Sequence, residues 1–293
     1  MKFQTIQRML FILSFVAMGA SAFALSFLGL NLGIDFTGGS LLEIEYANTR
    51  PAIQDIQKTL KDIDLGSFSV QHTGEKGVLL RAKDISEATH QQVISLLGDG
   101  VSELRFESIG PVIGKELREK TLLLAGLAMF VVILYIAFSF RRTADRVRPW
   151  HWSGAALIAS AHDILLSLGV LAVLGKYAGL EVTIPVVVAL LTVVGYSIND
   201  TVVVFDRIRE NIFKRTGFDF QDVIKQELRQ TWFRSLSTSL TTLVVLLSIY
   251  LFGGAALKDF SLILMIGIIV GTFSSLFVAP SLLLVWRKAM MKS

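Results

Sequence analysis

The 293-residue chain contains no cysteine, which removes disulfide scaffolds, thiolate metal sites and cysteine nucleophiles together. Proline is scarce, at 5 residues, and charged residues make up 18%, below the roughly 25% of an ordinary soluble domain. No basic run interleaved with aromatics marks a nucleic-acid surface. No Lys-Ser or Lys-Thr pair follows a glycine-rich stretch, so a phosphate-cradling loop of that type is excluded too. No cofactor or metal site is expected.

Apolar sequence is what the chain has in excess, with 53% apolar residues and a mean hydropathy of +0.60. Runs at 9–32, 121–140, 153–174, 183–205, 234–252 and 260–286 are long enough to cross a bilayer, which takes about 20 residues. The first follows Lys2 and Arg8 and contains Ala20-Ser21-Ala22, which resembles a signal-peptide cleavage site. Apolar sequence continues about ten residues beyond it, which favours a retained membrane helix. The expected fold class is an α-helical polytopic membrane protein with six transmembrane helices.

Residues 33–120 have the composition of a water-exposed module. Leu42, Ile44 and Tyr46 alternate with Glu43 and Glu45 as in a half-buried strand, and 51–63 has helical spacing through Ile53, Ile56 and Leu60. Strands are expected at 67–72 and 78–82 around a Gly-containing turn, and Ser86 is expected to cap a second helix. A strand at 101–109 completes βαββαβ, the order of a small α+β ferredoxin-like domain. The remainder, 121–293, reads as a five-helix bundle with a polar connection at 206–232. Lys and Arg gather at the N-terminus, after the second and fourth runs, and at the C-terminus. By the positive-inside rule both termini and 206–232 are then cytoplasmic, and 33–120 is periplasmic.

Charge inside the apolar runs is where function is expected, because a carboxylate there costs about 3 kcal/mol on insertion scales. Asn199 and Asp200 lie in the fourth run, with Tyr196, Val203, Val204 and Arg207 on the face of Asp200. A structural pairing with Asn199, Arg207 or Arg234 competes with proton coupling. Arg234 opens the hydroxyl-rich fifth run and is expected opposite Asp200, where a permanent cation holds a carboxylate ionised. His162 and Asp163 sit mid-run in the third, as a proton relay or as a hydrogen-bonding contact to the next helix. Gly267 and Gly271 form a GxxxG of the kind that packs helices closely. Gly33, Asp35, Gly38 and Gly39 form a turn-rich segment, a hinge or a plain linker.

Four stretches carry a family resemblance: Gly33-Ile34-Asp35-Phe36-Thr37-Gly38-Gly39, Ser108-Ile109-Gly110-Pro111 with Gly114, Ala161-His162-Asp163, and Val194 through Asn211. Together they resemble the SecF family of protein-export subunits over nearly the whole chain. That resemblance implies a SecD partner, docking on the SecYEG channel and often YajC, and an RND-like architecture in which proton flow drives export. It also implies that Asp200 is the essential aspartate of the fourth span and Arg234 the arginine of the fifth. An RND-like exporter of small molecules shares the spans and the aspartate, but usually carries two halves in one chain. An intramembrane aspartyl protease using Asp163 and Asp200 lacks the expected glycine beside Asp200.

Overall fold

The computed structural model describes residues 3–98, 100–139, 149–214 and 220–290. It divides into two units, Met1–Asn31 with Ala125–Ser293 and, separately, Leu32–Leu124. After α1 (Phe3–Leu28), the second unit contains α2 (Ile34–Thr37), β1 (Gly39–Tyr46), α3 (Ile53–Thr59), β2 (Ser69–Thr73), β3 (Gly77–Ala82), α4 (Glu87–Leu97) and β4 (Val101–Ile109). The four strands form one antiparallel sheet in the order β2-β3-β1-β4. This is the split βαβ connectivity. Leu42, Ile44 and Tyr46 all turn inward from β1, as their alternation predicts, and pack with Ile56, Leu60, Leu80 and Val93. Ser86 caps α4, its hydroxyl accepting from the Thr89 N–H at 3.3 Å. Helix α3 is shorter than the expected 51–63, because Lys61 and Ile63 donate to carbonyls three residues back and tighten the chain into turns.

The glycine segment is more constrained than a linker turn. Gly38 has φ +73 and ψ 164, a conformation essentially restricted to glycine. A Cβ there would stand 2.7 Å from the Cα of Pro111, and one at Gly39, with φ +130, 2.7 Å from the Ala82 carbonyl oxygen. Gly114 closes the same junction, its missing Cβ leaving room for the Gly38 nitrogen. Gly33 has φ −73, which any residue adopts, and Asp35 stands in the first turn of α2.

The remaining helices are α5 (Pro111–Ser139), α6 (Pro149–Ala178), α7 (Ile184–Lys214), α8 (Phe220–Phe252), α9 (Ala255–Phe273), a π-helical turn (Ser274–Val278) and α10 (Ala279–Met290). Among the described residues six segments are long and apolar enough to cross a membrane, and the chain is a multi-pass membrane protein. Large apolar side chains such as Phe15, Val16, Leu123 and Phe130 are exposed on α1 and α5, as suits surfaces solvated by hydrocarbon.

The helix bounds depart from the sequence reading for identifiable reasons. Helix α1 stops at Leu28, before the expected 32, where Gly29 takes φ +68 and its N–H bonds the Leu25 carbonyl. Helix α7 runs on to Lys214 and α8 starts at Phe220, so most of 206–232 is helix. Ile208, Ile212, Val223, Ile224 and Leu228 give these extensions an apolar face that joins the core around Trp152 and Phe205. Asn211 and the buried Glu227 clip them together, with Nδ2 donating to Oε1 at 2.5 Å.

Gly38→Ala is expected to destabilise the Leu32–Leu124 unit by about 1–3 kcal/mol from backbone strain alone. Limited proteolysis of the full chain in detergent, with urea titration, reads this as earlier cleavage within that unit, whereas Gly100→Ala, where an added Cβ meets nothing within 4 Å, stays close to wild type.

Candidate functional site

The site is built where α6, α7, α8 and the last span converge, and close helix approach makes it possible. A Cβ at Gly267 would lie 2.0 Å from Val193 Cγ2, and one at Gly271 3.2 Å from Ser197 Cβ. The GxxxG therefore seats α9 directly on α7. Beyond it Pro280, lacking an N–H and crowding the carbonyl of Leu276, interrupts the regular ladder, and the preceding residues form the π-helical turn. Its first two residues, Ser274 and Ser275, are fully buried.

These serines serve two carboxylates. Asp163 on α6 is fully buried, and its Oδ1 lies 2.8 Å from His162 Nδ1. Its Oδ2 accepts from Ser197 of α7 and from Ser274, the latter at 2.7 Å. Asp200 on α7 is half-buried. Ser235 of α8 donates to its Oδ1 at 2.7 Å, and Ser275 donates to its Oδ2. Consecutive hydroxyls on one turn thus reach carboxylates on two different helices. A second layer runs from Tyr196 to Ser239 at 3.3 Å and on to Thr272 at 2.5 Å, joining α7, α8 and α9.

Two placements differ from the sequence reading. Arg234 does not pair with Asp200. Successive residues on a helix point about 100° apart, and Ser235 holds the position facing Asp200, so Arg234 turns outward. It is exposed, makes no ion pair among the described residues, and lines a cleft of about 380 Å³ with Tyr135, Val203, Asp206, Arg207 and Arg209. Asn199 is likewise exposed and takes no part in the Asp200 cluster. His162 and Asp163 do come together, and Asp163 hydrogen-bonds the neighbouring spans. The His162 Nε2 atom is buried with no hydrogen-bond partner among the described residues.

Sequence reasoning missed Ser197, Ser235, Ser274 and Ser275 as ligands of the carboxylates. The signal for the last two was Thr272, Ser274 and Ser275 interrupting an apolar run five to eight residues before Pro280. Polar residues just ahead of a proline in a membrane helix mark a place where backbone and side-chain hydrogen bonds are rearranged.

Known proteins resemble the chain over most of its length. Protein translocase subunit SecF of Thermobaculum terrenum is 39% identical over 275 residues, covering 88% of this chain and 85% of that one. The chain belongs to the SecF family. SecF of Vibrio alginolyticus is also 39% identical, over 284 residues, covering 94% of this chain and 86% of that one. The family model for the C-terminal part of SecD/SecF protein export membrane proteins matches residues 90–289, and the SecD/SecF GG motif matches 23–49. The GG motif is the segment in which Gly38 and Gly39 pack against Pro111 and Ala82. SecDF of Thermus thermophilus, a translocon-associated membrane protein, superposes with a TM-score of 0.86 at 30% identity, over 98% of this chain and 39% of that one. SecDF in its super-membrane-facing form gives a TM-score of 0.65 at 29% identity, over 99% and 38%. This SecF-family chain therefore spans well under half of either solved SecDF chain.

Asp163→Asn puts an amide NH₂ among hydroxyl donors and the imidazole nitrogen, and is expected to destabilise the helix bundle by about 1–3 kcal/mol. Asn199→Ala, on an exposed face, is expected to stay within about 0.5 kcal/mol. Thermal unfolding of both variants in detergent distinguishes these outcomes.

Proposed function

We propose that this chain works with SecD as the SecF half of a proton-driven accessory to the SecYEG channel, with YajC as a frequent companion, and promotes late steps of polypeptide export. It is not an enzyme on this reading. The observation that carries it is Asp200, a half-buried carboxylate held, among the described residues, by hydroxyls from two other spans. A proton crossing about 100 mV releases roughly 2.3 kcal/mol, and each unit of pH difference adds about 1.4. A hydrogen bond to a charged group is worth about 1.5–3 kcal/mol. One proton therefore matches the energy needed to exchange one of the bonds that hold α7 to its neighbours, and Asp200 is where that exchange takes place. His162 and Asp163 support it as a relay or as the fixed side of the packing.

Arg234 and Asn199 take a different part. Both stand exposed on the outer faces of α8 and α7, whereas the hydroxyls of the nearby Thr192, Thr238 and Thr241 donate to carbonyls of their own helices. Polar groups left facing hydrocarbon are unfavourable, so this face is the one that SecD covers, and Arg234 acts at the shared boundary. The ferredoxin-like module is periplasmic and is the moving part, with the GG segment as its mount. Both termini are cytoplasmic, as the distribution of Lys and Arg supports. The small-molecule exporter reading gains no support from the relatives in Thermobaculum terrenum, Desulfurispirillum indicum and Vibrio alginolyticus, each a protein translocase subunit.

Two experiments test this. In a SecD-associated complex, Asp200→Asn is expected to abolish stimulation of export by the proton gradient while leaving assembly intact. Unchanged stimulation would sink the assignment. Because the chain has no cysteine, single cysteines at positions 199 and 238 are expected to crosslink to a cysteine-scanned SecD, and one at position 167, which is buried, is not. Equal yields at all three positions would argue against the proposed SecD face.

A further inference from the structure

Ser275 has one hydroxyl hydrogen and two acceptors in reach. Its Oγ donates to Asp200 Oδ2 and also lies 3.0 Å from the carbonyl oxygen of Thr272. A hydroxyl supplies a single donor and two acceptor lone pairs, so these two bonds alternate. Ser274 has the same choice, between Asp163 Oδ2 at 2.7 Å and the Gly271 carbonyl at 3.1 Å.

The carboxylates they serve are not equivalent. Asp163 is fully buried, with two serine donors and the His162 ring nitrogen as a third hydrogen-bond partner. Asp200 is half-buried, has two donors, and shares α7 with Val203, Asp206 and Arg207, which line the open cleft. Of the two carboxylates, Asp200 is the more exposed. The titratable groups nearest to it along these elements or lining the cleft are His162 and Asp163 of α6, Tyr196, Asp206, Arg207 and Arg209 of α7, Arg229 and Arg234 of α8 and Tyr135 of α5. The π-helical turn, SSLFV, contributes none.

We propose that Ser275 is a positioning residue that acts as a one-proton rotor between Asp200 and the backbone of the last span. With Asp200 ionised, the hydroxyl hydrogen points to the carboxylate and draws the π-helical turn onto α7. When a proton binds Asp200, the carboxyl donates its new hydrogen to Ser275 Oγ, and the serine turns its own hydrogen to the Thr272 carbonyl. No covalent bond of the serine changes, and the proton leaves from the carboxyl that took it up. Ser274 remains on Asp163, so the turn keeps its hold on α6 while its bond to α7 reverses direction. This rests on the proton-coupling reading of Asp200 and names the residue through which that coupling reaches the last span.

The test measures proton-gradient-stimulated export against pH in SecD-associated complexes reconstituted in vesicles. Ser275→Ala removes a donor that favours the ionised carboxylate, so the midpoint of the pH profile is expected to move up by about one to two units. Ser275→Thr keeps a hydroxyl and is expected to restore the wild-type midpoint, which a role in packing alone does not require. Ser248→Ala, at an exposed serine of α8 whose hydroxyl donates within its own helix, is expected to keep that midpoint as well. If Ser275→Ala does not assemble, Ser275→Cys, a weaker donor, is expected to give a smaller upward shift. An unshifted midpoint in an assembled Ala or Cys variant, or no rescue by Thr, overturns the rotor. If the rotor fails while Asp200→Asn still abolishes stimulation, proton coupling at Asp200 stands without it. If Asp200→Asn leaves stimulation intact, that reading falls instead.

Discussion

A carboxylate inside an apolar bundle needs hydrogen-bond donors, and this need decides where four segments of the chain must sit. Removing the charge from water costs about 3 kcal/mol on insertion scales, and each hydroxyl donor to a charged group returns about 1.5–3 kcal/mol. Asp163 has two serine donors and the His162 ring nitrogen, and Asp200 has two serine donors, drawn from α6, α7, α8 and the π-helical turn. The small residues serve the same need. Gly267 and Gly271 let α9 approach α7 closely enough for the serines that follow to reach both aspartates.

The kind of donor matters as much as the number. An arginine beside Asp200 would be a permanent cation, donating only, and would hold the carboxylate in one protonation state. A serine donates or accepts. Hydroxyl partners can therefore satisfy the carboxyl in both of its states, with a change of bond direction in place of a lost bond. Arg234, turned outward beside the cleft, is available to a partner's charge. On the proposed reading, the fully buried Asp163 is a fixed contact and the half-buried Asp200 an exchangeable one.

The GG segment shows a similar economy outside the carboxylate cluster. Gly38 and Gly39 hold backbone conformations closed to other residues, and the space of their missing side chains is filled by the start of α5 and the end of β3. The segment is better described as a tight mount than as a free hinge. Glycine is needed there both for φ and for close approach, whereas the φ of Gly33 is one any residue adopts.

The sequence by itself determined the number of spans, the βαββαβ order, the inward set Leu42, Ile44 and Tyr46, the Ser86 cap and the family. Each of these is written in local periodicity, in a cap, or in a contiguous motif. It also marked Asp163 and Asp200, because a charge in an apolar run stands out without any knowledge of the fold. Tertiary structure alone decided which side chains meet them. Whether Arg234 or Ser235 faces Asp200 depends on a 100° step around α8, and a hydroxyl-rich run offers no local sign of which residue points inward. Ser274 lies 111 residues from Asp163 and Ser275 lies 75 from Asp200. Contacts at that separation are set by how close the GxxxG brings two helices and by the turn that Pro280 forces, and neither distance nor direction is encoded in any one stretch of the chain.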